Sequence, residues 1–255
     1  MLPPEIATRL KLDPHHLAHH HEKAIILFAD IVGYVYVWCE CVYWLQSSLA
    51  HPFVNLHSFT AMSSSMTARA LVEVLNELFT RFDHLVDKYI QTQQGQNYWY
   101  VRFYCSLSGQ RMIAALIFYK CFSGDCYMVT SIPTYQDPDK AAAAMCHFSL
   151  DMIETLKQFN VENPANKLDL RIGMNTVEVV AGVVGTTRFV YDLWGDAVNL
   201  ASRMESTGIP SRVQITKSEA DSLHPVAFVC ESRGQVQVIG KGLIDTFFGK
   251  VAGTQ

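Results

Sequence analysis

Six consecutive apolar residues, Ala24 to Ala29, run straight into Asp30 in "AIILFADIVG". A short run that is apolar at every position is the pattern of a buried central strand. A carboxylate at the end of such a strand has three readings. It caps a helix, pairs with a cation, or holds a metal ion.

The segments around that strand set its context. "LPPEIATRLKL" reads as a short helix, with Pro4 near its first turn and Ile6 and Leu10 on one face. His15, His16, His19, His20 and His21 follow; no acidic or thiol ligand accompanies them, so they read as a polar linker rather than a metal site. Thr67 is placed to cap a long amphipathic helix, in which Leu71, Leu75, Leu78, Phe82, Leu85 and Tyr89 recur at helical spacing. "SGDCYMVTS" reads as a turn entering a strand. Asp137 and Pro138 open a second long helix. "KLDLRIGMNT" and "EVVAGVVG" read as two β runs joined by a tight turn. "WGDAVNLASRMESTG" reads as a helix stopped by Gly208, with Pro210 just beyond. "RVQIT", "GQVQVIGKG" and "DTFFGKV" read as closing strands. Strand, helix, strand pair, helix, strand is the β-α-β-β-α-β order of a ferredoxin-like α+β core, with extra C-terminal strands.

With 255 residues, 49% of them hydrophobic, the chain can build a sizeable core. A net charge of −4 is too mild to imply nucleic acid or an anionic membrane surface as partner. Seven cysteines without a CxxC pair read as unpaired thiols in a reducing, intracellular setting. The two most apolar runs, Tyr34 to Leu45 and Met112 to Phe122, are short and contain Glu40 and Lys120, so no membrane segment is expected.

Asp125 lies in a Gly-Asp turn that opens a strand. In a ferredoxin-like sheet the first strand neighbours the central hairpin, so Asp30 and Asp125 can meet at one edge. Two carboxylates suffice for magnesium when substrate phosphates supply the other oxygens. A plain turn residue is the alternative. Asn199 and Arg203 are four apart and share one helix face; taken alone, Arg203 reads as a solvated surface charge and Asp192 as a turn residue.

The motifs "FADIVG", "SGDCYMV", "LRIGMNT", "VVAGVVG", "RGQVQV" and above all "YDLWGDAVNLASRMESTG" resemble the class III nucleotidyl cyclase catalytic domain. The resemblance implies that residues 22–250 form that domain, after a 1–21 segment holding the linker helix and the histidines. It implies two magnesium or manganese ions on Asp30 and Asp125, with help from the Ile31 carbonyl. One ion would make the ribose 3′-oxygen nucleophilic, and both would hold the phosphates while pyrophosphate leaves. Asn199 matches the residue that orients the ribose, and Arg203 the cation that stabilises the transferring phosphate. Gly33, Arg188 and Lys241 are candidates for phosphate contacts. Asp192 would accept from the adenine 6-amino group and repel the 6-oxo group of guanine, which implies ATP rather than GTP. A two-fold homodimer with composite sites is expected, since the family divides each site between subunits. The reading is cytoplasmic, either free or as the cytoplasmic domain of a membrane-bound parent.

Three departures stand against this. Residues 35–58 and 91–122 interrupt well-matched sequence and read as translated intervening sequence or as surface excursions. Cys121 stands where a base-reading Lys or Glu is expected, with Lys120 one residue earlier. Ile239 stands in "VIGKG" where the family usually has a phosphate-contacting lysine. Cys121, Ile239 and the split phosphate loop favour a rival to an adenylyl cyclase, a catalytically impaired regulatory subunit, and the missing half of the base-reading pair leaves a guanylyl cyclase as the second rival.

Overall fold

The computed structural model describes residues 18–33, 66–92, 116–117, 126–131, 138–164, 167–184, 190–223 and 228–251. The linker helix, nearly all of the two interruptions, Cys121, Asp125, Asp137 and Arg188 lie outside the described residues.

Strand β1 (His19–Gly33) is followed by helix α1 (Ala68–Thr92), strands β2 (Leu116–Ile117) and β3 (Cys126–Ser131), and helix α2 (Pro138–Glu162). Strands β4 (Leu168–Val184) and β5 (Val190–Trp194) precede helix α3 (Asp196–Ser206). Strand β6 (Arg212–Thr216), helix α4 (Lys217–Leu223) and strands β7 (Phe228–Val238) and β8 (Gly242–Val251) complete the order. The sheet runs β2-β3-β1-β4-β6-β8-β7, with β5 paired to β4. Its first four strands are the ferredoxin-like arrangement expected from the sequence. The short edge strand β2 comes from within the second interruption: Leu116 and Ile117 pair with Ser131 and Thr130.

Three expectations change. Residues 168–184 form one strand, not two runs around a turn. Thr176, Val177 and Glu178 offer no turn residue, and β1 supplies ladder partners along almost the whole length of β4. The same pairing draws His19, His20 and His21 into β1, with a register shift between His21 and Ala24; these histidines are strand rather than linker. His20 Nε2 lies 2.7 Å from Glu178. In addition, Trp194 ends β5, so α3 begins at Asp196, later than expected.

Side-chain alternation divides the core. Ile25, Leu27, Ala29 and Ile31 of β1, with Leu170, Ile172 and Met174 of β4, face α1 and α2. Leu78 and Phe82 of α1 and Met152 and Phe159 of α2 are fully buried against them. Each contributes about 2 kcal/mol of burial. Thr67 caps α1 as expected, its hydroxyl accepting from the Ala70 amide at 3.2 Å. Ala24, Ile26 and Phe28 face the opposite side, with Val179, Leu193 and Ala201, beneath α3. By the same alternation Asp30 and Arg171 belong to the α3 side.

Gly173 fixes how close α3 sits. A Cβ there would lie 2.0 Å from the Glu205 amide nitrogen and 2.7 Å from the Ala201 carbonyl oxygen. Helix backbone therefore rests directly on β4, and only glycine fits. The helix ends at Ser206, and the Gly208 amide donates to the Glu205 carbonyl at 2.7 Å.

Candidate active site

The close seating of α3 gives it two working faces. Ala201 and Met204 are buried, while Asn199 and Arg203 point outward. They line a cavity of about 350 Å³ together with Asp196, Leu200 and residues 238–241 of the β7–β8 turn. That volume is at the small end of ligand pockets, which span about 300–1,000 Å³. The structure thus brings together three of the residues singled out from the sequence: Asn199, Arg203 and Lys241.

Gly240 and Gly242 flank Lys241 at φ values of 82° and 77°, a conformation that favours glycine. The turn they make carries Lys241 to the cavity, where its ammonium pairs with the Asp196 carboxylate. Ile239 lines the same cavity and is 76% exposed, so an apolar side chain occupies the place where a cation is expected.

Asp30 does not line this cavity. It stands directly opposite Arg171 in the β1/β4 ladder and opposite Cys126 in the β1/β3 ladder. Its Oδ2 accepts from Arg171 Nη2 at 2.8 Å. The ion-pair reading of this carboxylate is met by Arg171, while β1 continues past Asp30 to Gly33, so Asp30 lies inside the strand rather than at its end. Burial pushes the Asp30 carboxyl above its ordinary range, and the hydrogen bond and charge of Arg171 partly offset that. Arg171 Nε in turn donates to Glu205 Oε1 at 3.0 Å.

The fit to a divalent ion rests on donor chemistry. Asp30 is a half-buried hard-oxygen donor, and among the described residues its bonding runs through Oδ2 alone. That suits one magnesium or manganese ion. Asp125 directly precedes Cys126, the residue opposite Asp30, but itself lies outside the described residues. Among the described residues no group of three or more His, Cys, Asp or Glu side chains could hold a metal. Ile31 pairs with Leu170 and is 1% exposed; Gly33 ends β1 opposite Leu168. Asp192 lies on β5 opposite Gly182.

Sequence reading missed Arg171, Glu205 and Asp196 as members of the site. The signal for Arg171 was present: Leu170, Ile172 and Met174 point inward, so Arg171 must point to the α3 side. It becomes meaningful only once Asp30 is known to be its cross-strand partner.

A ferredoxin-like sheet carrying these residues is the architecture that the resemblance to class III nucleotidyl cyclases calls for. The chain belongs to the adenylate and guanylate cyclase catalytic domain family, whose model matches residues 46–97 and 111–250. An adenylate cyclase of Mycobacterium tuberculosis is 35% identical over 249 residues, covering 97% of this chain and 44% of its own length. The receptor-type guanylate cyclase gcy-7 of Caenorhabditis elegans is 31% identical over 257 residues, covering 100% of this chain and 18% of its own length. The chain thus spans under half the length of both relatives. Among solved structures, the catalytic core of a rhodopsin-guanylyl cyclase with converted specificity, in complex with ATPαS, superposes with a TM-score of 0.64. It is 25% identical, and the match covers 92% of this chain and 98% of that one. No described helix is long and apolar enough to cross a membrane.

Proposed function

We propose that this chain converts ATP to 3′,5′-cyclic AMP and pyrophosphate as a homodimer with two composite sites, using two magnesium or manganese ions. The observation that carries the reading is the shared cavity of Asn199, Arg203 and Lys241, whose lining does not include Asp30. A carboxylate that binds metal and a helix face that binds nucleotide, separated within one chain, serve the same reaction when a second copy brings them together. Asn199 would fix the ribose. Arg203, exposed and forked, would meet charge on the phosphate as the bond to pyrophosphate breaks. Asp30, with Asp125 and the Ile31 carbonyl, would hold the ions that lower the pKa of the 3′-hydroxyl and neutralise the phosphates. Asp192 would select adenine by accepting from its 6-amino group. Gly33, Arg188 and Lys241 would add phosphate contacts.

The purified chain, incubated with manganese and either ATP or GTP, is expected to release cyclic AMP in excess of cyclic GMP. Asp30→Ala is expected to abolish both. Cyclic GMP as the main product would replace the adenylyl reading with the guanylyl one.

One further reading rests on specific observations. Ile239 puts an apolar side chain in the cavity, and Asp196 neutralises Lys241 there. Both favour an impaired, regulatory partner subunit. A folded dimer without product would support it.

A further inference from the structure

We infer that Glu205 is a positioning residue for the metal half of the site: it tethers Arg171 and so governs how strongly Asp30 can take a divalent cation. The inference rests on the reading that Asp30 is a metal ligand.

The geometry is a relay of three side chains on one face of the sheet. Arg171 donates through Nη2 to Asp30 at 2.8 Å and through Nε to Glu205 at 3.0 Å. One guanidinium therefore divides its charge between two carboxylates. Arg171 is only a quarter exposed, Asp30 a fifth, and the Glu205 side chain 9%, so solvent screens the trio weakly. Gly173 makes the contact to Glu205 possible. Without a Cβ at that position, the α3 backbone at Glu205 settles onto β4, two residues from Arg171.

Arg171 is the cation paired with Asp30. A divalent ion must compete with it, because two cations at one carboxylate repel each other. Glu205 weakens that competition in two ways. It draws guanidinium charge away from Asp30, and it adds a second carboxylate beside the guanidinium that Asp30 uses. The same residue belongs to α3, whose outer face carries Asn199 and Arg203. One helix therefore connects the nucleotide half-site of a chain to the metal half-site of that same chain. In a two-fold dimer those halves serve different active sites.

The test counts protein-bound Mn²⁺ by electron paramagnetic resonance, in the presence of a fixed concentration of a non-cyclisable ATP analogue. Wild type, Glu205→Gln, Arg171→Met and Asp30→Ala are compared. Glu205→Gln is expected to weaken Mn²⁺ binding about tenfold, because Arg171 then pairs with Asp30 alone. Arg171→Met is expected to tighten it by a similar factor, even though turnover falls. Unchanged binding in Glu205→Gln, or looser binding in Arg171→Met, overturns the tether. If Glu205→Gln does not fold, the direction of the Arg171→Met change decides. If Asp30→Ala binds Mn²⁺ like wild type, the metal reading itself has failed. If only Asp30→Ala loses the ion, that reading stands and the tether alone is wrong.

Discussion

Glu219 of α4 is 1% exposed. Burial, reinforced by the charge of Asp139 on α2 and only partly offset by Thr176, pushes its carboxyl from 4.5 up to about 7. A tenfold change in proton affinity is worth about 1.4 kcal/mol, so the folded chain prefers the protonated acid by about 3 kcal/mol. The sign follows from linkage. The folded value lies above the unfolded one, so this stabilisation is complete below about pH 4.5 and is lost as pH rises to about 7. On a domain stable by roughly 5–15 kcal/mol that is a large slope. Glu219→Gln keeps the shape of the protonated acid and removes the titration. Urea unfolding between pH 5 and pH 8 is expected to show wild type losing about 2.5 kcal/mol more than the variant across that window. Other titrating groups act equally on both proteins; Glu162 and Glu231, lowered by Arg81 and by Lys250 with Arg212, are charged throughout it. Parallel profiles for the two proteins would show that Glu219 is ionised in the fold and refute the reasoning.

Three further outcomes follow from the geometry. Gly173→Ala should destabilise the chain by about 3 kcal/mol in urea unfolding and lower turnover as well, since α3 must lift off β4 to admit a Cβ. Arg203→Ala should leave the unfolding midpoint unchanged, because the side chain is exposed, while reducing kcat about 100-fold or more. Asp192→Cys should raise GTP use relative to ATP, measured as the ratio of kcat/KM values; an unchanged ratio would sink the assigned role in base choice.

The core was legible because its signals are local. The apolar run before Asp30, the helical spacing of Leu78 and Phe82 and the cap at Thr67 each determine structure over a few residues. Residues 168–184 misled because the two β runs differ in composition, yet whether the chain turns between them is decided by β1, which is distant in sequence. The histidines misled for the same reason: pairing with Val179, Val180 and Ala181 overrides their polar character. Of the site, Asn199 and Arg203 followed from helical periodicity and motif. The Arg171 relay did not, because it requires the β1/β4 register and the close approach of α3 at Gly173, and neither is written in any one segment. The Lys241–Asp196 pair likewise joins residues 45 apart through a turn made by two glycines.

The division of the site between subunits is tested most directly by mixing two disabled chains. Asp30→Ala lacks the metal carboxylate and Arg203→Ala lacks the phosphate cation, so each alone should make almost no cyclic nucleotide. Co-refolded in equal amounts, they should recover about a quarter of the wild-type rate, since half the dimers are mixed and each mixed dimer holds one intact site. A mixture as silent as its components, beside an active wild type, would contradict the composite site.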